Sequence, residues 1–151
     1  MSGPTFDAIL VPVASEDDAR RTARALREHF DLGETAATFA YVVEKAGGAP
    51  DKAGVEQREA VAERAFAAAS AELDAGAETR IVYDTDVAEG IRRAAAEVGA
   101  DAIVFVPRTG GGRLARLLTG DVALSLVTET DRPVVALPNA EVVDDTDGEE
   151  E

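Results

Sequence analysis

Residues 100–137 read ADAIVFVPRTGGGRLARLLTGDVALSLVTETDRPVVAL. Two short apolar runs, Ala102–Val106 and Pro133–Leu137, bracket a glycine triplet and a helical pattern. The helical part, about Gly120 to Glu129, is apolar at Val122, Ala123, Leu126 and Val127. This is a strand, a glycine-rich loop, a helix and a second strand. The strands are apolar throughout rather than alternating, as suits a parallel sheet covered on both faces.

The alternation of strand and helix continues toward the N-terminus. Phe6–Val13, Ala36–Val43 and Glu78–Tyr83 read as three further strands. A first helix carries Ala19, Ala23, Leu26 and Phe30 at spacings of four, three and four, which puts them on one face. Ser15 with Asp18 resembles a capping box, and Gly33 is the expected stop. The second helix is expected from about Val55 to Leu73, striped by Val61, Ala65, Phe66, Ala69 and Leu73. The third carries Val87, Ile91, Ala94 and Val98, with Asp86 and Glu89 at its start and Gly99 at its C-terminal cap. Glu44–Gly54, with Gly47, Gly48, Pro50 and Gly54, reads as a loop. Strand and helix alternate throughout, which predicts an α/β, doubly wound, five-stranded parallel sheet with right-handed crossovers and helices on both faces. Residues 1–141 are expected to form the domain and 142–151 an acidic disordered tail.

Composition narrows the chemistry. The 151 residues contain no cysteine and one histidine, His29, which excludes thiolate chemistry and cysteine or multi-histidine metal sites. The Walker and GxGxxG patterns are absent, and Ser70 and Ser125 lie in helical patterns without a base beside them. An enzyme is therefore not expected. Thirty acids against fifteen bases leave a net charge of −15, and only Lys45 and Lys52 among the bases are lysines. Concentrated salt screens such self-repulsion, so a salt-adapted protein is expected, and nucleic acid is disfavoured as a partner. No run is apolar and long enough to span a bilayer, and MSGPTFD shows no secretory pattern, so a cytoplasmic location is expected.

The loop Pro107–Gly120 departs from this acidic background, with three arginines and no acid in fourteen residues. Gly110, Gly111 and Gly112 allow the backbone to approach a ligand closely, and a helix starting near Gly120 points free N–H groups at it. Arg108 and Arg113 add positive charge. In doubly wound sheets ligands bind at the carboxyl ends of the strands. The loop reads as an anion site; otherwise it is a structural loop whose arginines pair with acids elsewhere.

The chain resembles the universal stress protein family along nearly its whole length. The residues that carry the resemblance are ILVPV at 9–13, YVV at 41–43, ADAIVFVP at 100–107, GDVALSLV at 120–127 and RPVVALP at 132–138. The resemblance implies the strand order 3-2-1-4-5 and a homodimer paired through the last strand. It also implies binding of ATP or another adenine nucleotide, through glycine, two residues, glycine, nine residues, glycine, then serine or threonine. On this chain those positions fall on Pro107, Gly110, Gly120 and Asp121. The aspartate that ends the first strand in nucleotide binders is here Ala14. Pro107 lacks an N–H, Ala14 lacks an acceptor, and Asp121 puts a carboxylate where phosphate would lie. Weak or lost ATP binding is therefore expected, in a cytoplasmic dimer that serves stress response by binding a ligand or partner. Any nucleotide would place its phosphates at Gly110–Gly112 and Gly120–Val122, including Asp121 and Val122, and its base beside Pro12, Val13, Ala14 and Val42. One alternative is a full ATP- or AMP-binding protein using the Gly110–Val122 loop. Another is a response-regulator receiver, in which Asp17, Asp18 and Asp84 would form the acidic site; it lacks a lysine after the last strand.

Overall fold

The computed structural model describes residues 6–44, 52–73, 77–107 and 120–138. Five strands and four helices alternate: β1 Ala8–Pro12, α1 Glu16–His29, β2 Ala36–Glu44, α2 Lys52–Glu72, β3 Glu78–Asp84, α3 Val87–Val98, β4 Ala102–Phe105, α4 Gly120–Thr128 and β5 Val134–Ala136. The sheet has the order β3-β2-β1-β4-β5, and every pairing is parallel.

The central strands are buried on both faces, which is why they carry no alternation. Ile9, Val11 and Val13 pack in one core layer with Ala19, Ala23 and Leu26 of α1 and Ala62, Ala65 and Ala69 of α2. Leu10, Ala40 and Ile103 pack in the other with Ala88, Ile91 and Ala94 of α3 and Leu126 of α4. Alanine at so many contact positions lets the helices sit close to the sheet.

Local chemistry sets most helix ends. The Ser15 hydroxyl accepts the Asp18 N–H at 3.1 Å at the start of α1. Asp86 accepts the Glu89 N–H at 2.9 Å at the start of α3. Gly99 ends α3 with φ of 68°, a left-handed conformation in which its N–H turns back to Ala95 and Ala96.

Two expected boundaries differ. α1 stops at His29, with Phe30 extended at its end, so Gly33 lies in the turn beyond rather than at the cap. Gly54 lies inside α2, which begins at Lys52, rather than in the preceding loop. A single glycine costs a helix about 1 kcal/mol, which 21 residues packed along α1 and the sheet offset. Among the described residues no helix is long and apolar enough to cross a membrane.

Candidate functional site

The site is built where β1 and β2 end beneath the first turns of α3. Pro12, Val13 and Ala14 leave the sheet beside Ala40 and Val42 of β2, and Val87 and Ile91 of α3 close over them. These seven residues line a cleft enclosing about 10 Å³, room for about one water molecule. The four positions that the sequence assigns to a base, Pro12, Val13, Ala14 and Val42, are thus brought together.

The turn after β1 lines the cleft, and the turn after β3 leads into its α3 wall. After β1, the Val13 N–H donates to the Ala40 carbonyl at 2.9 Å, and the Ala14 N–H donates to Asp18 Oδ2 at 2.8 Å. Asp18 is only 1% exposed. Burial pushes its carboxyl up to about 6, against the opposing pull of the Ala14 N–H, the Arg21 charge and the Thr22 hydroxyl.

After β3, Asp84 is half-buried and Asp86 is exposed. Asp84 Oδ1 accepts the Asp86 N–H at 3.0 Å, and Arg93 bridges Asp84 Oδ2 at 2.8 Å and the Tyr83 carbonyl at 2.7 Å. Asp84 is therefore committed to the turn and its arginine. Gly90, one turn into α3, faces Val42: a Cβ there would lie 3.2 Å from both Val42 Cγ1 and Asp84 Cβ. Its lack of a side chain sets how closely α3 approaches the cleft floor.

The other assigned positions fall as follows. Pro107 is exposed just beyond β4. Gly120 is the first residue of α4 and Asp121 the second, so the helix N-terminus lies where the loop was expected to deliver it. Val122 packs into the α3–α4 core layer and does not line the cleft. Arg108, Gly110, Gly111, Gly112 and Arg113 lie outside the described residues, as does the tail from 142. Ser125 does meet a carboxylate: its hydroxyl donates to Glu129 at 3.3 Å and accepts from Arg92 at 3.3 Å, an exposed helix-surface contact.

Sequence reasoning missed Asp18 as a brace of the turn, and Ala40, Val87, Ile91 and Gly90 as cleft residues. A glycine between the apolar Val87 and Ile91 was the available signal, since an isolated helical glycine marks close packing. A hollow of about 380 Å³ lies at the opposite end of the sheet, between Leu32, Ala36, Leu73 and Glu78, away from the strand ends where this architecture holds ligands.

A doubly wound parallel sheet with an apolar cleft and a helix N-terminus at its carboxyl edge defines a class of α/β domains. The universal stress protein family model matches residues 5–138, and the chain belongs to that family. Solved structures agree in fold. A protein of the family from Burkholderia pseudomallei is 26% identical, with a TM-score of 0.63 over 91% of this chain and 99% of that one. The universal stress protein of Archaeoglobus fulgidus in complex with dAMP is 21% identical, with a TM-score of 0.62 over 89% of this chain and 99% of that one. A universal stress protein in complex with cAMP is 17% identical, with a TM-score of 0.64 over 90% and 99%. No curated protein matches the chain.

Proposed function

We propose that this protein serves stress response by binding a nucleotide weakly at the carboxyl edge of its sheet, as a homodimer and without catalysis. The observation that carries this is the gathering of Pro12, Val13, Ala14 and Val42 into one apolar cleft. The base rests against that cleft, and the phosphates point toward the start of α4 at Gly120, with the Gly110–Gly112 backbone, Arg108 and Arg113 of the preceding loop as further phosphate partners. Two solved family members that hold dAMP and cAMP support the ligand class.

Three features favour low affinity. The cleft encloses about 10 Å³, far less than a base, so the ring lies on its surface. Ala14 brings no side-chain acceptor. Asp121, the second residue of α4, is an acid where the family's nucleotide pattern has serine or threonine.

The two sheet edges support pairing through β5. Edge strand β3 carries Glu78 and Arg80, with Arg80 paired to Glu97 at 2.9 Å, and such charges blunt an edge. Edge strand β5 reads VVA, with no charge. Two copies can join there about a two-fold axis. The net charge of −15 supports a working environment of concentrated salt, which screens the self-repulsion.

Isothermal titration with ATP in molar potassium chloride tests the reading. The expected Kd is about 0.1–1 mM, or about −4 to −5.5 kcal/mol. Nucleotide that survives dialysis at one per chain contradicts the low affinity, and no heat at all contradicts the ligand class. Light scattering in the same buffer is expected to give twice the chain mass; a monomer rules out the β5 pairing.

A further inference from the structure

A cleft of about 10 Å³ does not admit a ring, so a base meets mainly the lining residues that reach the surface. Five of the seven contribute little there. Pro12 is buried, and Val13, Ala14, Ala40 and Ile91 are each at most 5% exposed. The other two are Val42 on β2 and Val87, the first residue of α3. Both are partly open, and both pack against the core layer that contains Ile91. The lips of the cleft are therefore two branched apolar side chains, one from the sheet and one from the helix.

The fold fixes the spacing of these lips. Asp84 accepts the Asp86 N–H at 3.0 Å, and Asp86 accepts the Glu89 N–H at 2.9 Å, so bonds lie on both sides of Val87. Arg93, two turns into α3, holds the Tyr83 carbonyl at 2.7 Å and Asp84 at 2.8 Å. Gly90 seats the helix on the other lip, since a Cβ there would lie 3.2 Å from Val42 Cγ1. A surface held in this way spends little of its binding energy on ordering itself around a ligand.

We infer that Val87 is a base-contacting residue, the helix-side half of an apolar platform whose sheet-side half is Val42, with the ring of a bound nucleotide lying across the two. This inference rests on the nucleotide-binding reading above and adds to that site a residue from α3.

The test is isothermal titration of the full chain and of Val87→Ala and Val87→Ile, in molar potassium chloride, with ATP and inorganic tripolyphosphate. A carbon fully covered by a ligand is worth about fourfold in affinity, and a flat ring covers one side of the two γ-carbons that alanine lacks. Val87→Ala is expected to weaken ATP by about fourfold and to leave tripolyphosphate unchanged. Val87→Ile, which keeps the apolar face, is expected to bind ATP at least as tightly as the wild type. A change below about twofold in Val87→Ala overturns the inference and leaves the nucleotide-binding reading standing. Tighter ATP binding by Val87→Ala also overturns it, because the side chain then obstructs the ring instead of supporting it. So does an equal loss for tripolyphosphate, which a disturbed fold would cause. Failure of the wild type to bind ATP overturns the parent reading and this one with it.

Discussion

The acid three residues past the cap of α1 is sealed inside, whereas the matching acid of α3 lies outside, although both helices open with the same spacing of cap and acid. In α1, Ser15 caps and Asp18 stands three residues on; in α3, Asp86 caps and Glu89 stands three residues on. The difference lies in where the second acid goes. Asp18 turns back to the Ala14 N–H and is sealed at 1% exposure. Glu89 turns outward to Arg92 at 2.6 Å. The first box is closed, so it withdraws a backbone donor from the cleft. The second is open and leaves the cleft to the apolar Val87 and Ile91. The same spacing of cap and acid thus serves two purposes, and packing around the second acid decides which.

The largest expected effect comes from the buried acid. Its folded pKa of about 6 lies above the ordinary 3.8, so the neutral form is favoured in the folded state. The stability it contributes is fully present below pH 3.8 and is lost as pH rises through about 6. Asp18→Asn keeps an oxygen for the Ala14 N–H and cannot ionise. The variant is expected to be more stable than the wild type at pH 7.5 by about 3 kcal/mol, and the gap should close below pH 4. Denaturant titrations at both pH values check this, and a gap independent of pH would place the ionised carboxylate in a better-solvated setting than the comparison requires.

Next is the contact that seats α3 on β2. Gly90→Val drives a branched side chain toward Val42 and the Asp84 Cβ, both already 3.2 Å from a simple Cβ. Overpacking of this kind costs about 2 kcal/mol. Thermal melts are expected to show that loss together with weaker nucleotide binding, since α3 must lift from the cleft floor.

The two caps should separate by salt rather than by size. Ser15→Ala and Asp86→Ala each remove one capping bond, at about 1 kcal/mol. The loss for Asp86 is expected to shrink in molar salt, because part of it is a carboxylate acting on the helix dipole, while the loss for Ser15 stays constant. Equal salt dependence would erase the distinction between the turns.

The smallest effect belongs to the ion pair between Arg93 and Asp84. Arg93→Gln breaks the bridge to Asp84, whose partner is about two-fifths exposed, and is expected to cost less than about 1 kcal/mol in dilute buffer and nothing measurable in molar salt.

The sequence by itself determined what depends on neighbours within about one helical turn. The apolar runs marked five strands, the Ser15–Asp18 and Asp86–Glu89 spacings marked two helix starts, and Gly99 marked a left-handed end. The resemblance to the family pointed to Pro12, Val13, Ala14 and Val42, which the fold gathers in one cleft. The helix over Gly54 was not legible, since a lone glycine and the Gly and Pro residues just before it signal a loop until α2 is seen packed on α1 and the sheet. Only the tertiary structure decided that Asp18 is buried and braces Ala14, that Gly90 lets α3 down onto Val42, and that Val87 and Ile91 close the cleft. Gly90 and Val42 are 48 positions apart in the chain, and their contact exists only because α3 crosses back over β2. Spacing along a chain encodes hydrogen bonds within one turn. Burial, and the pKa that follows from it, is a property of what stacks on top.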